Sequence, residues 1–177
     1  MTLRTAAAAL SLLTCALAPD RVGGEEPPPS RWAGHLQAVD AALDRRDISA
    51  AVHEWHQGYA AALRIRTWHG LIEIGDAYLR IAEVAAFRGS AKPVARHLYL
   101  EALVQAKSQR SPEGALRAAA AFDRLGDRGV VEQCVRVAEA SARWLRDAKA
   151  LHQVADARER LSLQAIGPRD AERIDGQ

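Results

Sequence analysis

The stretch Leu71-Ile72-Glu73-Ile74-Gly75-Asp76-Ala77-Tyr78 decides the fold. With Ile81 and Ala85 beyond it, Leu71, Ile74, Gly75 and Tyr78 recur at i, i+3, i+4 and i+7, which puts them on one face of a helix. Val131, Val135, Ala138, Ala142 and Leu145 repeat that spacing further on, and no segment shows five or more residues of clean alternation. Composition agrees with the period. The 177 residues include 37 alanines and 21 arginines against three lysines, with no asparagine. Ala and Arg are good helix formers, whereas a sandwich or a parallel sheet needs many β-branched residues. Mean hydropathy is −0.19 and the net charge is +2, unlike the sparse, highly charged composition of a disordered chain. The fold class predicted is all-α.

The two ends read differently from the middle. Met1 to Arg4 is basic, Thr5 to Ala18 is an uncharged Ala/Leu run, and Asp20-Arg21 closes it, the layout of a secretory signal peptide over 1–24. The run is shorter than the ~20 residues that span a bilayer, so the expectation is export without a transmembrane anchor. Cleavage after Ala18 and after Gly24 are both open. Two alternatives stand beside cleavage: a buried first helix, and a lipoprotein, because Leu12-Leu13-Thr14-Cys15 resembles the bacterial lipoprotein box with Cys15 as the acylated residue. The expected location is periplasmic or secreted, or membrane-anchored through Cys15. Residues 25–30, ending in three prolines, read as a stiff linker, and 167–177, with five charges in nine residues after Gly167-Pro168, as a disordered tail. Cys134 would be the one cysteine of the mature chain, so the domain at 31–166 must hold through its core, and a small buried apolar role is expected for that thiol.

Start and stop signals divide 31–166 into six helices in three pairs. Ser30 opens the first, to about Arg46; Asp47 or Ser49 the second, to about Arg64; Thr67 the third, to Arg88. Gly89-Ser90 is read as a break, with a fourth helix from Ser90–Pro93 to Lys107. Ser111-Pro112 caps a fifth that ends at Gly126, and Asp127 starts a sixth. From Val130 to Ile166 there is neither Gly nor Pro, so the sixth helix either continues for ~35 residues or breaks near Asp147 to Lys149.

Leu71-x2-Ile74-Gly75-x2-Tyr78 resembles the first-helix pattern of tetratricopeptide (TPR) repeats, and Ala95, Tyr99 and Ala102 match the second-helix spacing. Weaker matches stand in register on both sides: Val39, Leu43, Ala51, Trp55 and Gly58 before, then Ala118, Ala119, Phe122, Val131, Val135 and Ala138 after. The resemblance covers about 36–140. The middle pair holds about eight residues more than a 34-residue unit, and no proline closes any unit. The resemblance implies a right-handed stack of about three antiparallel helix pairs with a long C-terminal capping helix. An irregular helical bundle is the competing architecture.

The resemblance also implies binding rather than chemistry: a scaffold holding a protein or peptide partner in a concave groove. The residues it directs there are His69, Ile72, Asp76, Leu79 and Arg80, then Glu113, Leu116, Arg117, Asp123 and Arg124. A solvated surface would use the same charges, and Asp76 and Arg80 could simply pair at i,i+4. The family's chaperone-tail clamp needs asparagines and is excluded. A homo-oligomer, with the apolar stripe of the sixth helix pairing with a copy of itself, and a lipid-anchored envelope assembly factor are the alternatives.

Enzyme motifs are lacking. His53 and His56 sit at i,i+3 and depart from H-E-x-x-H, and no phosphate loop, G-x-S-x-G or paired-cysteine motif occurs. No cofactor, metal or catalytic residue is expected. Without residues 1–24 the net charge falls to +1 and no eight-residue window is strongly basic, so nucleic acid is not an expected partner.

Overall fold

The computed structural model describes residues 31–165, and every element among them is helical. There are seven helices: α1 Ala33–Asp44, α2 Ile48–Ile65, α3 Trp68–Val84, α4 Arg88–Ser108, α5 Pro112–Leu125, α6 Arg128–Leu145 and α7 Ala148–Ala165. The signal segment with Cys15, the proline linker and the charged tail lie outside the described residues.

The connections are two or three residues long and share one design. Arg46, Ala86, Arg110, Gly126 and Arg146 each adopt positive φ. At each, that residue's N–H bonds back three residues and the next N–H bonds back five, as in Asp47 N–H to Ala42 at 2.9 Å and Asp147 N–H to Ala142 at 3.0 Å. This is the Schellman closure, which satisfies the last carbonyls of a helix. Arg66, φ 53°, ends α2 with the simpler single bond to Ala62. The residue after each left-handed one is the N-cap of the following helix; Asp47, Ser111 and Asp147 accept the N–H of Ala50, Gly114 and Ala150.

Two boundaries differ from the sequence reading, and one point that it left open is decided. The third helix ends at Val84 and not at Arg88, because Ala86 takes the left-handed turn. Gly89-Ser90 is no break: both lie in the first turn of α4, and Pro93 is carried inside that helix. The glycine-free stretch does break, at Arg146-Asp147, into α6 and a separate α7. The left-handed turns after α1, α3 and α5 fall at 46, 86 and 126, an even interval of 40 residues in place of 34.

Each helix packs on its chain neighbours. α1, α3 and α5 each touch the next odd-numbered helix as well, whereas α4 and α6 are the even-numbered helices in contact. Small residues make this possible. Ala62, Ala77, Ala95, Ala102, Ala106, Ala118, Ala121 and Ala138 are fully buried, and interaxial distances can shrink where side chains are short. Aromatics fill what remains: Tyr99 and Phe122, both fully buried, meet edge to face at 5.8 Å, and Trp55 donates its indole N–H to the Ile74 carbonyl at 2.8 Å.

Candidate functional site

Two clefts flank α5. The first, about 520 Å³, is lined by Asp76, Leu79, Arg80 and Glu83 of α3, Lys92 of α4, and Arg124 and Leu125 of α5. Its floor is organised by a buried hydroxyl. Tyr99 reaches from α4 and donates its phenol O–H to Asp76 Oδ1 at 2.5 Å, and Arg124 donates to the same oxygen at 2.6 Å. The ring arrives there because residue 75 is glycine: a Cβ at Gly75 would stand 2.5 Å from Tyr99 Cε1. Burial, then the Asp76 carboxylate, raises the Tyr99 pKa well above the ordinary phenol value, so the hydroxyl is a fixed donor. For Arg124, burial opposes the charge, but Asp76 and Tyr99 outweigh it and the guanidinium pKa rises. At the rim Arg80 bridges back to Asp40 of α1 at 3.0 Å.

The second cleft, about 440 Å³, lies among α5, α6 and α7. Glu113, Leu116, Arg117 and Asp123 line it from α5, with Val131 and Val135 from α6 and Gln153, Asp156, Ala157, Arg160 and Leu161 from α7. It has an apolar base and a rim of both charge signs.

Of the ten groove residues expected from the sequence, Asp76, Leu79, Arg80 and Arg124 share the first cleft, and Glu113, Leu116, Arg117 and Asp123 share the second. Ile72 lines neither; it is buried in the core. His69 is exposed at the start of α3, with its ring stacked on Trp68 at 3.4 Å. The α7 residues escaped the sequence reading, although Ala150, Val154, Ala157 and Leu161 follow helical spacing and are buried or half-buried.

Chemically, both clefts offer hydrogen bonds and charge. Cys134 is fully buried, and burial pushes its thiol up to about 12, far from a thiolate at neutral pH. His53 and His56 are exposed on α2, and among the described residues no three His, Cys, Asp or Glu side chains converge as a metal group. No described helix is long and apolar enough to cross a membrane. Comparison with protein-family models, with curated proteins and with solved structures finds no match for this chain.

Proposed function

We propose that this chain is an exported, non-enzymatic interaction module: a TPR-like, right-handed stack of antiparallel helix pairs whose odd-numbered helices present a groove to a peptide or helix of a partner. The observation that carries the reading is the pair of clefts on either side of α5, both lined by charges of either sign, the second over an apolar base and the first with Leu79 and Leu125 beside its charged residues. Mixed-sign rims over an apolar floor suit an amphipathic segment. The chain of contacts α1 to α3 to α5 to α7 supports a groove running along those helices, and the short connections favour antiparallel neighbours. In this stack α7 covers the open end of the last pair, with Ala150 and Val154 turned inward and a polar outer face, as terminal caps do.

Self-association through the α6 stripe has less in its favour. Of that stripe, Val131, Val135, Ala138 and Ala142 are buried within the chain, which leaves Leu145 alone exposed to a second copy.

The test is crosslinking capture from envelope and culture extracts with the wild type and with Arg80→Glu/Arg117→Glu, one reversal in each cleft. A partner retained by the wild type and lost by the variant supports the groove. A partner retained equally by both, or none retained by either, overturns it. Mass spectrometry of the native N-terminus separates cleavage after Ala18, cleavage after Gly24 and acylation of Cys15.

A further inference from the structure

Helices α2, α4 and α6 end at one edge of the molecule. Gln109 donates through Nε2 to the Arg66 carbonyl at 2.9 Å, tying the turn after α4 to the turn after α2. The Arg110 guanidinium lies 3.5 Å from the centre of the Trp144 ring, tying that turn to the last turn of α6. At all three turns the left-handed residue is an exposed arginine: Arg66, Arg110 and Arg146. Glycine would take that backbone with less strain, and the turns at the other ends of the helices use Arg46, Ala86 and Gly126. Arg64 and Lys107 add to the row. Among the described residues Arg64, Arg66, Lys107 and Arg146 make no ion pair.

Helix dipoles alone favour cations at these C-termini, but they do not call for apolar groups beside them. Leu63, Ile65, Trp144 and Leu145 stand on this same edge, 41% to 61% exposed, and make up four of the seven large hydrophobic residues exposed on the described surface. The shallow cleft between α4 and α6, about 420 Å³, is lined by Lys107, Arg110, Arg136 and Trp144 with no carboxylate. The carboxylates nearby are committed: Asp147 caps Ala150, Glu132 pairs with Arg136 at 3.9 Å, and Glu139 pairs with Arg143 and so withdraws that arginine from the row.

We infer that this edge docks on the surface of an anionic lipid bilayer. The row of cations complements the headgroup charge, and the indole with three aliphatic side chains suits the boundary where headgroups give way to acyl chains. A phosphate-tracking nucleic-acid surface would need the cations but not the aliphatic tips. The docking edge is separate from both clefts beside α5, so it stands independently of the groove.

Trp144 supplies the readout, because the other three tryptophans, Trp32, Trp55 and Trp68, are buried at 5% to 6% exposure. The full-length protein is mixed with vesicles of equal parts phosphatidylcholine and phosphatidylglycerol, or of phosphatidylcholine alone, and quenched with acrylamide. The mixed vesicles are expected to shift Trp144 emission to the blue and shield it, and the neutral ones to leave it open. Arg66→Gln/Arg110→Gln/Arg146→Gln should weaken that shielding roughly 100-fold, at about fivefold per cation. Arg64→Gln/Lys107→Gln, at ordinary helical positions, should weaken it about 25-fold and keeps the test alive if the triple variant fails to fold. Trp144 left open while the protein sediments with lipid would place the apolar run at 5–18 on the bilayer and overturn the inference. So would equal shielding by neutral vesicles, unchanged shielding in folded variants, or shielding by a polyglutamate peptide or a DNA duplex in place of vesicles.

Discussion

The indole of Trp68 occupies the space that a side chain at residue 114 would need: a Cβ built on Gly114 would fall 2.8 Å from two ring atoms and 2.8 Å from Ala106 Cβ. Trp32 stands to Gly70 in nearly the same way, with Ala62 as the third member, at 3.0 to 3.3 Å. A tryptophan at the start of one odd-numbered helix thus packs against a glycine at the start of the next and an alanine near the end of the even-numbered helix between. Gly114→Ala should therefore destabilise the protein by about 1–3 kcal/mol, the usual cost of overpacking, although Ala is the better helix former by ~1 kcal/mol. Gly89→Ala, with nothing within 4 Å, should be neutral or stabilising by up to about 1 kcal/mol. Urea midpoints of the two variants should move in opposite directions; a shared direction would remove Trp68 as the reason for the glycine.

Tyr99 and Asp76 link α4 to α3 through a half-buried hydrogen bond. Tyr99→Phe should cost about 1–2 kcal/mol, because Asp76 keeps Arg124, whereas Asp76→Ala leaves a buried hydroxyl without an acceptor and should cost more, about 2–3 kcal/mol. Denaturant unfolding of both variants ranks them, and the reverse order would count against the buried donor.

The same hydroxyl sets an alkaline limit. Its folded pKa is raised above 10.0 by burial, so the unfolded chain releases the proton first. The stability tied to this proton is complete below about pH 10 and is lost as pH rises towards the folded value, by at most ~1.4 kcal/mol per pH unit. Cys134 acts in the same direction from pH 9.0 up to about 12. Stability followed from pH 8 to pH 12 should fall less steeply in Tyr99→Phe and in Cys134→Ala than in the wild type. At pH 8, peptide mass spectrometry after treatment with a thiol reagent should find Cys134 unmodified in the folded protein and modified in urea.

Much of the helical content could be read from residues because the signals were local. Asp47 and Ser111 are capping side chains that the sequence marks, and they cap, whereas Thr67, marked in the same way, makes no capping bond. Gly89-Ser90 misled because the turn was made three residues earlier by Ala86, whose side chain advertises nothing; closure there depends on the Phe87 and Ala86 N–H groups finding Ala82 and Glu83. The clefts were half legible. Residues of α3 and α5 followed from the repeat resemblance together with helical phase, but the wall from α7 required knowing that the chain breaks at Arg146. Ile72 shares the helical phase of Asp76 and Leu79, four and seven residues on, yet it is buried in the core. The arginine edge could not be seen in any window, since Arg66, Arg110 and Arg146 are tens of residues apart and meet only through the stacking of turns.

The break at Arg146-Asp147 is where α7 depends on single side chains. Asp147 Oδ1 accepts the Ala150 N–H at 2.9 Å, and the Asp147 N–H closes α6 onto Ala142 at 3.0 Å. Asp147→Ala removes the first bond and keeps the second, so α6 should persist while α7 loses about 1 kcal/mol of its docking. Val154, 2% exposed, holds the middle of α7, and Val154→Ala should cost a further ~1–2 kcal/mol by vacating packed space. Both losses fall on one element that buries few side chains, so they should surface as local opening before global unfolding. Hydrogen exchange measured by mass spectrometry should then show amides of 151–165 exchanging faster in Asp147→Ala, and faster still in the double variant, with α3 and α5 unchanged. Equal acceleration in α3 would mean that α7 unfolds only with the whole domain, and would remove its role as a separable end cap.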